Sequence, residues 1–201
     1  PAPAPAPAPA PATAESSCLC LFDIDRTLTG KQGLTQQCPG NKVMAGVQDT
    51  AFTGGTLTLS PLGQNLAGTF CSSCLLGIIS AGGASGPPMK EIIAQALPAS
   101  GLAGNVWSGP NPVTSPLVIG CGNAVKAQCA KGIVDWFARE KGANIPASEV
   151  YFFDDTTGNT NGFADFGYNA RQVSCPSRAG AIGFCGASLN EIQRAKGIFN
   201  C

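Results

Sequence analysis

The stretch Leu19–Leu28, Leu-Cys-Leu-Phe-Asp-Ile-Asp-Arg-Thr-Leu, constrains the fold more than any other part of the sequence. A short apolar run ends there in two carboxylates, Asp23 and Asp25, and the hydroxyl residue Thr27 follows. Side chains at positions i and i+2 of an extended segment share a face, so both carboxylates should project together from the end of a buried strand. Such a pair can attack an electrophile and move a proton, beside oxygen ligands for a hard cation.

A second short apolar run, Leu75–Ile79, ends at Ser80 and is followed by Ala-Gly-Gly. This pattern predicts a buried strand that opens into a loop. A hydroxyl in front of Gly-rich backbone N–H groups suits a phosphoryl oxygen. Taken alone, Ser80 is better explained as the first residue of a turn.

A third run, residues 150–153, is rich in aromatic residues and ends in the acidic pair Asp154 and Asp155. Asn159 follows four residues after the pair. Acids and an amide at strand ends predict an octahedral, oxygen-only Mg²⁺ site that retains bound water.

Lys131 stands at the head of a segment with apolar residues at helical spacing, and Gly142 is a plausible end of that helix. A helix N-terminus disfavours cations, so a lysine there indicates an anionic partner. Lys126 competes with Lys131 for this role.

In order along the chain, these residues resemble the four motifs of the haloacid-dehalogenase-like hydrolases: Asp23-x-Asp25-x-Thr27, Ser80, Lys131 and Asp154-Asp155-x-x-x-Asn159. The resemblance covers roughly residues 17–180, the whole core domain. Most members of that superfamily are Mg²⁺-dependent phosphatases. The resemblance implies a three-layer, Rossmann-like α/β sandwich with little or no cap. The chain departs from the family pattern at Arg26, where Gly is common.

The resemblance also implies a role for each residue. Asp23 would be the nucleophile, Asp25 the general acid and base, and Thr27 a support for their loop. Ser80 and Lys131 would hold the phosphoryl group. The expected reaction is hydrolysis of a phosphate monoester, carried by a small molecule or a phosphoprotein, through an aspartyl-phosphate.

The implied metal is Mg²⁺, held by the carboxylates of Asp23 and Asp155, the backbone carbonyl of Asp25 and water, with Asp154 assisting. Asn159 stands where an acid is more usual, and it carries less charge. We therefore expect weaker Mg²⁺ binding than an acid would give.

Composition excludes several other functions. The net charge is zero and only 12% of residues are charged, so the basic footprint of a nucleic-acid-binding protein is missing. No run of 18 apolar residues is present, which argues against a membrane span. The chain has no histidine, so Ser-His-Asp and Cys-His catalysis and His-ligated zinc are excluded.

The ten cysteines are numerous and even in number, so disulfides and a secreted or otherwise oxidising location are expected. A four-Cys zinc site built from Cys18, Cys20, Cys71 and Cys74 and a redox role for the Cys71–Cys74 motif are the alternatives. In the family's sheet order, strand one neighbours the strand that ends at Ser80. That order makes bridges between Cys18 or Cys20 and Cys71 or Cys74 plausible.

The remaining segments predict one domain, residues 17–201, behind a Pro-Ala linker at residues 1–16 whose (Pro-Ala)₆ repeat favours polyproline II. Residues 98–116 are loop-like, with Trp107 as their anchor. The expected elements are a hairpin strand at 55–59 that forms a small flap, strands at 117–119 and within 165–174, and helices at 89–97, 124–141 and 188–198. Alternating strands and helices predict a parallel sheet with helices on both faces. The alternative function is a non-catalytic extracellular binding or structural module that keeps this fold.

Overall fold

The computed structural model describes residues 18–98, 101–104 and 106–201. The predicted linker at residues 1–16 lies outside this part of the chain. The strands are β1 Leu19–Phe22, β2 Lys42–Asp49, β3 Gly55–Leu59, β4 Leu75–Ile79, β5 Trp107–Ser108, β6 Leu117–Val118, β7 Val150–Asp154, β8 Asn169–Gln172, β9 Arg178–Ala179, β10 Ile182–Gly183 and β11 Ile198–Phe199. The α-helices are α1 Pro61–Gln64, α2 Pro87–Ala96 and α3 Lys126–Lys141. Short 3₁₀ turns cover Leu66–Gly68, Phe70–Ser73, Asn123–Val125, Ala147–Glu149, Ala164–Phe166 and Leu189–Glu191.

Seven strands form one central sheet in the order β11-β8-β7-β1-β4-β6-β5, and every neighbouring pair is parallel. The predicted α/β fold with a parallel sheet is therefore confirmed. Between β1 and β4 the chain forms the antiparallel hairpin β2–β3 and short helical turns instead of a separate helical cap. The strand β1 lies at the centre of the sheet and is paired with β7 on one side and β4 on the other. Both of its faces are covered by apolar side chains.

Alternate residues of β1 enter two different cores, as the two-residue repeat of a strand requires. Leu19 and Leu21 pack with apolar residues of α3 such as Ile133 and Phe137. Cys20 and Phe22 belong to the opposite core, which contains α2 and the hairpin. A continuous apolar strand covered on both faces is typical of parallel sheets. The molecule thus has three layers.

The α3 helix ends as predicted, because Gly142 adopts the left-handed conformation (φ +65°) that terminates helices. It begins at Lys126, after the 3₁₀ turn Asn123–Val125. Lys131 therefore lies within the helix and not at its head. Trp107 lies in the edge strand β5 inside the segment predicted to be a loop.

The C-terminal helix predicted for residues 188–198 is wrong. Ser188 and Glu191 form a capping box, but only the turn Leu189–Glu191 follows it. The chain then extends to β11, where Ile198 pairs with Ala170 of β8. Pairing with the edge of the sheet, together with the Cys175–Cys201 disulfide, therefore overrides the local helix signal.

All ten cysteines form disulfides: Cys18–Cys74, Cys20–Cys71, Cys38–Cys185, Cys121–Cys129 and Cys175–Cys201. Both alternatives for the first four cysteines, a zinc site and a redox pair formed by Cys71 with Cys74, are excluded by this pairing. Five disulfides fit an oxidising environment. Within the described ranges, no helix is long and apolar enough to cross a membrane.

Candidate active site

The carboxyl ends of three neighbouring strands bring the first predicted residues together. Phe22, the last residue of β1, pairs in register with Ile78 of β4 and with Phe153 of β7. Asp23 follows β1 directly, and its backbone N–H donates to the Phe153 carbonyl (2.9 Å). Asp154 ends β7, and Ser80 follows β4. Ligands of open parallel sheets bind at this edge.

Lys126 is the cation of this cluster. Its Nζ donates to Asp23 Oδ1 and to Asp154 Oδ2, each at 2.6 Å, and its side chain is 1% exposed. Burial would lower the pKa of Lys126, but Asp23 and Asp154 raise it above its ordinary value. Lys126 is therefore a permanent positive charge between two buried carboxylates.

Lys131, the lysine predicted for this position, lies elsewhere. Its ammonium pairs with Asp135 one helical turn away, and about half of each side chain is exposed. The helix begins within two residues of the expected start at 124, and Lys126, not Lys131, lies in its first turn beside the carboxylates. Lys126 lies between Cys121 and Cys129 in the sequence, and their disulfide ties the start of α3 to the loop after β6.

Asp154 is fully buried, and donors surround it. Besides Lys126, the Thr156 N–H donates to Oδ1 (2.7 Å), and Asn159 Nδ2 lies 3.0 Å from both carboxylate oxygens. Asn159 therefore supports the Asp154 carboxylate as a hydrogen-bond donor. An acid at position 159 would face Asp154 as a like charge. The expectation of weaker Mg²⁺ binding with an amide at this position stays a prediction.

Asp155 points to a different set of partners. Its Oδ2 accepts from the Gly183 N–H and its Oδ1 from Thr156 Oγ1 (3.3 Å). Burial first, and then the nearby Asp154 charge, raise the pKa of Asp155 to about 7. Ligand oxygens of Asp23, Asp154 and Asp155 all lie within 4.8 Å of one another. This spacing fits three carboxylates around a single small cation.

Asp25 lies on the tight turn Ile24–Leu28, which places it at the mouth of the cluster. The turn needs a left-handed residue, and Arg26 adopts that conformation (φ +64°). Burial raises the pKa of Asp25 to about 6, and the Asp49 carboxylate on the hairpin adds to the shift. Asp25 can therefore gain and lose a proton near neutral pH.

Two buried hydroxyls complete the predicted set. Ser80 Oγ and Thr27 Oγ1 are inaccessible to solvent and have no hydrogen-bond partner among the described residues. A buried hydroxyl without a partner is costly, which favours a ligand group beside Ser80. Thr27 instead anchors its turn through its backbone carbonyl, which accepts from Ser60 Oγ (2.8 Å) and the Ala187 N–H (2.9 Å).

Acidic groups outnumber cationic groups at this edge. In the described part of the chain, the groups that influence one another here are the acids Asp23, Asp25, Asp49, Asp154 and Asp155 and the cations Lys126 and Arg26. Burial raises the pKa of Asp23 well above its usual range, and Lys126 only partly offsets this effect. Buried charges need partners, so the cluster fits a divalent cation together with one proton.

A cleft of about 250 Å³ opens onto the cluster. Its lining combines charged, amide and apolar side chains: Asp23, Asp25, Ala51, Phe52, Ala81, Asn123, Lys126, Thr156, Asn159 and Ile182. A larger cavity of about 530 Å³ beside α2 and Trp107 shares none of these residues. The carboxylates, and not the size of a cavity, therefore identify the candidate active site.

Sequence reasoning did not find Asp49 or Phe52. Both lie on the hairpin, whose position over the carboxylates depends on long-range contacts. The one available signal was Asp49, the acid that ends the largely exposed strand β2, which resembles an ordinary turn residue. No family model, curated protein or solved structure matches this chain, so the assignment of its site depends on geometry and chemistry.

Proposed function

We propose that this protein hydrolyses phosphate monoesters with Mg²⁺ through an aspartyl-phosphate on Asp23, in an oxidising location outside the cytosol. The observation that carries the proposal is the buried excess of carboxylates around Lys126 at the carboxyl edge of the sheet. This arrangement has room for one further cation and an anionic group. A dianionic phosphoryl group bound with Mg²⁺ supplies both.

The donor set suits Mg²⁺. Carboxylate oxygens from Asp23 and Asp155 and a backbone carbonyl from Asp25 are hard ligands, and the nearby cleft leaves access for the water that Mg²⁺ retains. Asp154 assists by holding Lys126 in place. Bound Mg²⁺ would neutralise charge on the phosphoryl oxygens.

Asp23 is the nucleophile in this proposal. One of its carboxylate oxygens attacks phosphorus while the bond from phosphorus to the ester oxygen breaks. The Lys126 ammonium, assigned here the role predicted for Lys131, stabilises charge on the phosphoryl group. The orphaned Ser80 hydroxyl donates to another phosphoryl oxygen.

Asp25 moves the protons. In its protonated form it donates to the leaving oxygen, which departs as an alcohol. The resulting carboxylate then takes a proton from the water that attacks the aspartyl-phosphate, which releases inorganic phosphate and restores Asp23. The pKa of about 6 suits both steps, because burial keeps the two protonation states close in energy near neutral pH.

Turnover of a panel of phosphate monoesters, each with Mg²⁺ and with EDTA, tests the function. We expect Mg²⁺-dependent release of phosphate and a loss on the order of 10⁴-fold or more in Asp23→Asn, because an amide is not a competent nucleophile. Asp135→Asn is the matched control, since Asp135 is an exposed acid outside the site.

Asp25→Asn tests the intermediate. We expect slowed breakdown of the aspartyl-phosphate, seen as a mass increase of one phosphoryl group on the peptide that contains Asp23. Near-native turnover by Asp23→Asn would refute the covalent mechanism. Absence of turnover with every ester would instead favour the non-catalytic module.

A further inference from the structure

Phe52 is a large apolar side chain that remains exposed beside a polar site. It lies at the tip of the β2–β3 hairpin, lines the carboxylate cleft and is 53% exposed. Its backbone is in the left-handed region (φ +55°), which is unfavourable for a bulky residue. An exposed aromatic residue held in a strained conformation next to a cleft calls for a functional explanation.

The two residues that precede Phe52 in the hairpin tip, Thr50 and Ala51, are fixed in place by hydrogen bonds. The Ala51 N–H donates to Asp49 Oδ1, and Gln32 Nε2 donates to the Ala51 carbonyl, both at 2.9 Å. The Thr50 N–H donates to Ser85 Oγ (2.8 Å) in the loop after β4. These contacts hold the ring at the cleft in spite of the backbone strain.

Arg26 supports the ring from the protein side. Its guanidinium carbon lies 4.7 Å from the centre of the Phe52 ring, a cation–π contact. The guanidinium is itself held by the Phe184 carbonyl (3.3 Å) and Gln32 Oε1 (3.2 Å). The residue that departs from the motif pattern at position 26 thus positions Phe52.

The cleft wall around Phe52 is apolar, and the Arg26 guanidinium lies against the Phe52 ring without lining the cleft. Ala51, Ala81 and Ile182 line it with Phe52, and Lys126 is the one cation among the described residues of the lining. Since Lys126 already pairs with two carboxylates, a second anionic group on a ligand would have no partner there. The volume of about 250 Å³ lies below the ~300–1,000 Å³ of drug-sized sites, so a phosphoryl group and one ring would fill it.

We propose that the substrate is a small phosphate monoester whose leaving group carries one aromatic ring, and that this ring stacks on Phe52. The inference rests on the proposed phosphatase function and specifies its substrate class. Phe52 is then a specificity-determining residue, and Arg26 is a positioning residue that acts through it.

The test compares kcat/KM for benzyl phosphate and methyl phosphate, two esters with alkoxide leaving groups of similar basicity. We expect the wild type to prefer benzyl phosphate about 10-fold, the scale of one aromatic contact. Phe52→Asn should reduce this preference to about 3-fold or less. Asparagine tolerates the left-handed backbone, so this variant should keep the hairpin folded.

Phe199→Asn is the matched control, because Phe199 is another exposed phenylalanine with an arginine, Arg171, over its ring, and it does not line the cleft. It should keep the wild-type preference, and Phe52→Tyr should keep most of it. An unchanged preference in Phe52→Asn, an equal loss in Phe199→Asn or a wild-type preference near one would each overturn the inference.

Two further measurements separate this inference from its premise. If no ester is hydrolysed, the proposed function fails, and calorimetric binding of benzylphosphonate against methylphosphonate still tests the ring contact with the same expected ratio. Comparing kcat/KM for phenyl phosphate and for a phosphotyrosyl peptide with no other charged group tests whether the ring belongs to a small molecule or to a protein. Preference for the peptide by 10-fold or more would overturn the assignment to a small molecule.

Discussion

At the amino ends of β1 and β4, the disulfides Cys18–Cys74 and Cys20–Cys71 join neighbouring strands inside an apolar core. At the carboxyl ends of the same strands, buried carboxylates crowd around Lys126. The two edges lie only one short strand apart, because β1 is four residues long. The amino edge is cross-linked between its two central strands. The carboxyl edge has the disulfides Cys121–Cys129 and Cys175–Cys201 farther from its centre, and it contains more negative charge than it can neutralise.

The two edges also differ in the direction of the pKa shifts of their acids. Glu149, just before β7 at the amino edge, accepts hydrogen bonds from Lys196, Arg194 and Tyr151, and these lower the pKa of Glu149 to about 2. At the carboxyl edge, burial raises the pKa of Asp25 to about 6. Ionised acids therefore stabilise one edge and destabilise the other. The comparison teaches that the unneutralised acidic charge of this chain is concentrated at the carboxyl edge, where the candidate chemistry lies.

The largest expected effect comes from removing the cation of the carboxyl edge. Lys126→Met should reduce kcat/KM at least about 10²-fold, and in EDTA it should lower the free energy of unfolding by about 3–5 kcal/mol, because Asp23 and Asp154 lose their shared partner. Turnover and urea unfolding measure the two effects.

Lys131→Met is the matched control for Lys126→Met. Its exposed i,i+4 pair with Asp135 is worth about 0.5 kcal/mol or less, and turnover should be unaffected. A large loss of activity in Lys131→Met with little in Lys126→Met would reverse the assignment of the two lysines.

The contrast between the two lysines shows what the sequence could predict. The strands that end at Asp23, Ser80 and Asp154 were found because short apolar runs that end in polar residues are local patterns. The expected helix over residues 124–141 contains both lysines, so the choice between them depends on which one faces the carboxylates. That contact is made between distant parts of the chain, because Lys126 meets Asp23 and Asp154, and it has no clear local signal.

The C-terminal segment and the hairpin teach the same lesson. Ser188 and Glu191 form a capping box in the structure, yet pairing of Ile198 with β8 decides the structure beyond it. Asp49 and Phe52 reach the cleft only because the hairpin folds back over β1 and is held by Gln32 and Ser85. Contacts between distant parts of the chain leave little trace in local patterns.

Removing the cross-links of the amino edge should give the next largest effect. The two bridges close nearly the same loop, with separations of 56 and 51 residues. Replacing one pair by alanines should cost about 1–2 kcal/mol, since the other still restricts the unfolded chain, whereas replacing both pairs should cost about 4 kcal/mol in loop entropy alone.

Urea unfolding without reductant measures these losses, and Mg²⁺-dependent turnover of the single-pair variants serves as the control. Turnover should stay within about two-fold of the wild type, because the candidate site is at the other edge. If replacing one pair cost half as much free energy of unfolding as replacing both pairs, the two bridges would act independently.

The pH dependence of stability tests the charge of the carboxyl edge. In EDTA, the raised pKa values of Asp25 and Asp155 mean that the folded state holds protons that the unfolded state releases above about pH 4. Their stabilising contribution is complete below that pH and is lost as the pH rises to about 7, a fall on the order of 3–4 kcal/mol for each group.

The difference in unfolding free energy between wild type and Asp155→Asn isolates this effect from other titrating groups. The variant should show a shallower fall, and saturating Mg²⁺ should flatten the profile of the wild type while leaving that of the variant little changed. Parallel profiles for the two proteins in EDTA would contradict the proposed charge excess.

The smallest expected effect belongs to Glu149 at the amino edge, because its partners Lys196 and Arg194 are about half exposed. The lowered pKa of Glu149 gives stability that is present above its ordinary pKa of 4.5 and is lost as the pH falls towards 2. Glu149→Gln should therefore cost less than about 1 kcal/mol at pH 7, and this cost should shrink at pH 3 and in 1 M salt. Glu140→Gln, at an exposed pair with Arg139, provides the baseline in the same urea titrations. A Glu149→Gln cost that grew on acidification would mean that ionised Glu149 destabilises its edge, and the opposition between the two edges would then disappear.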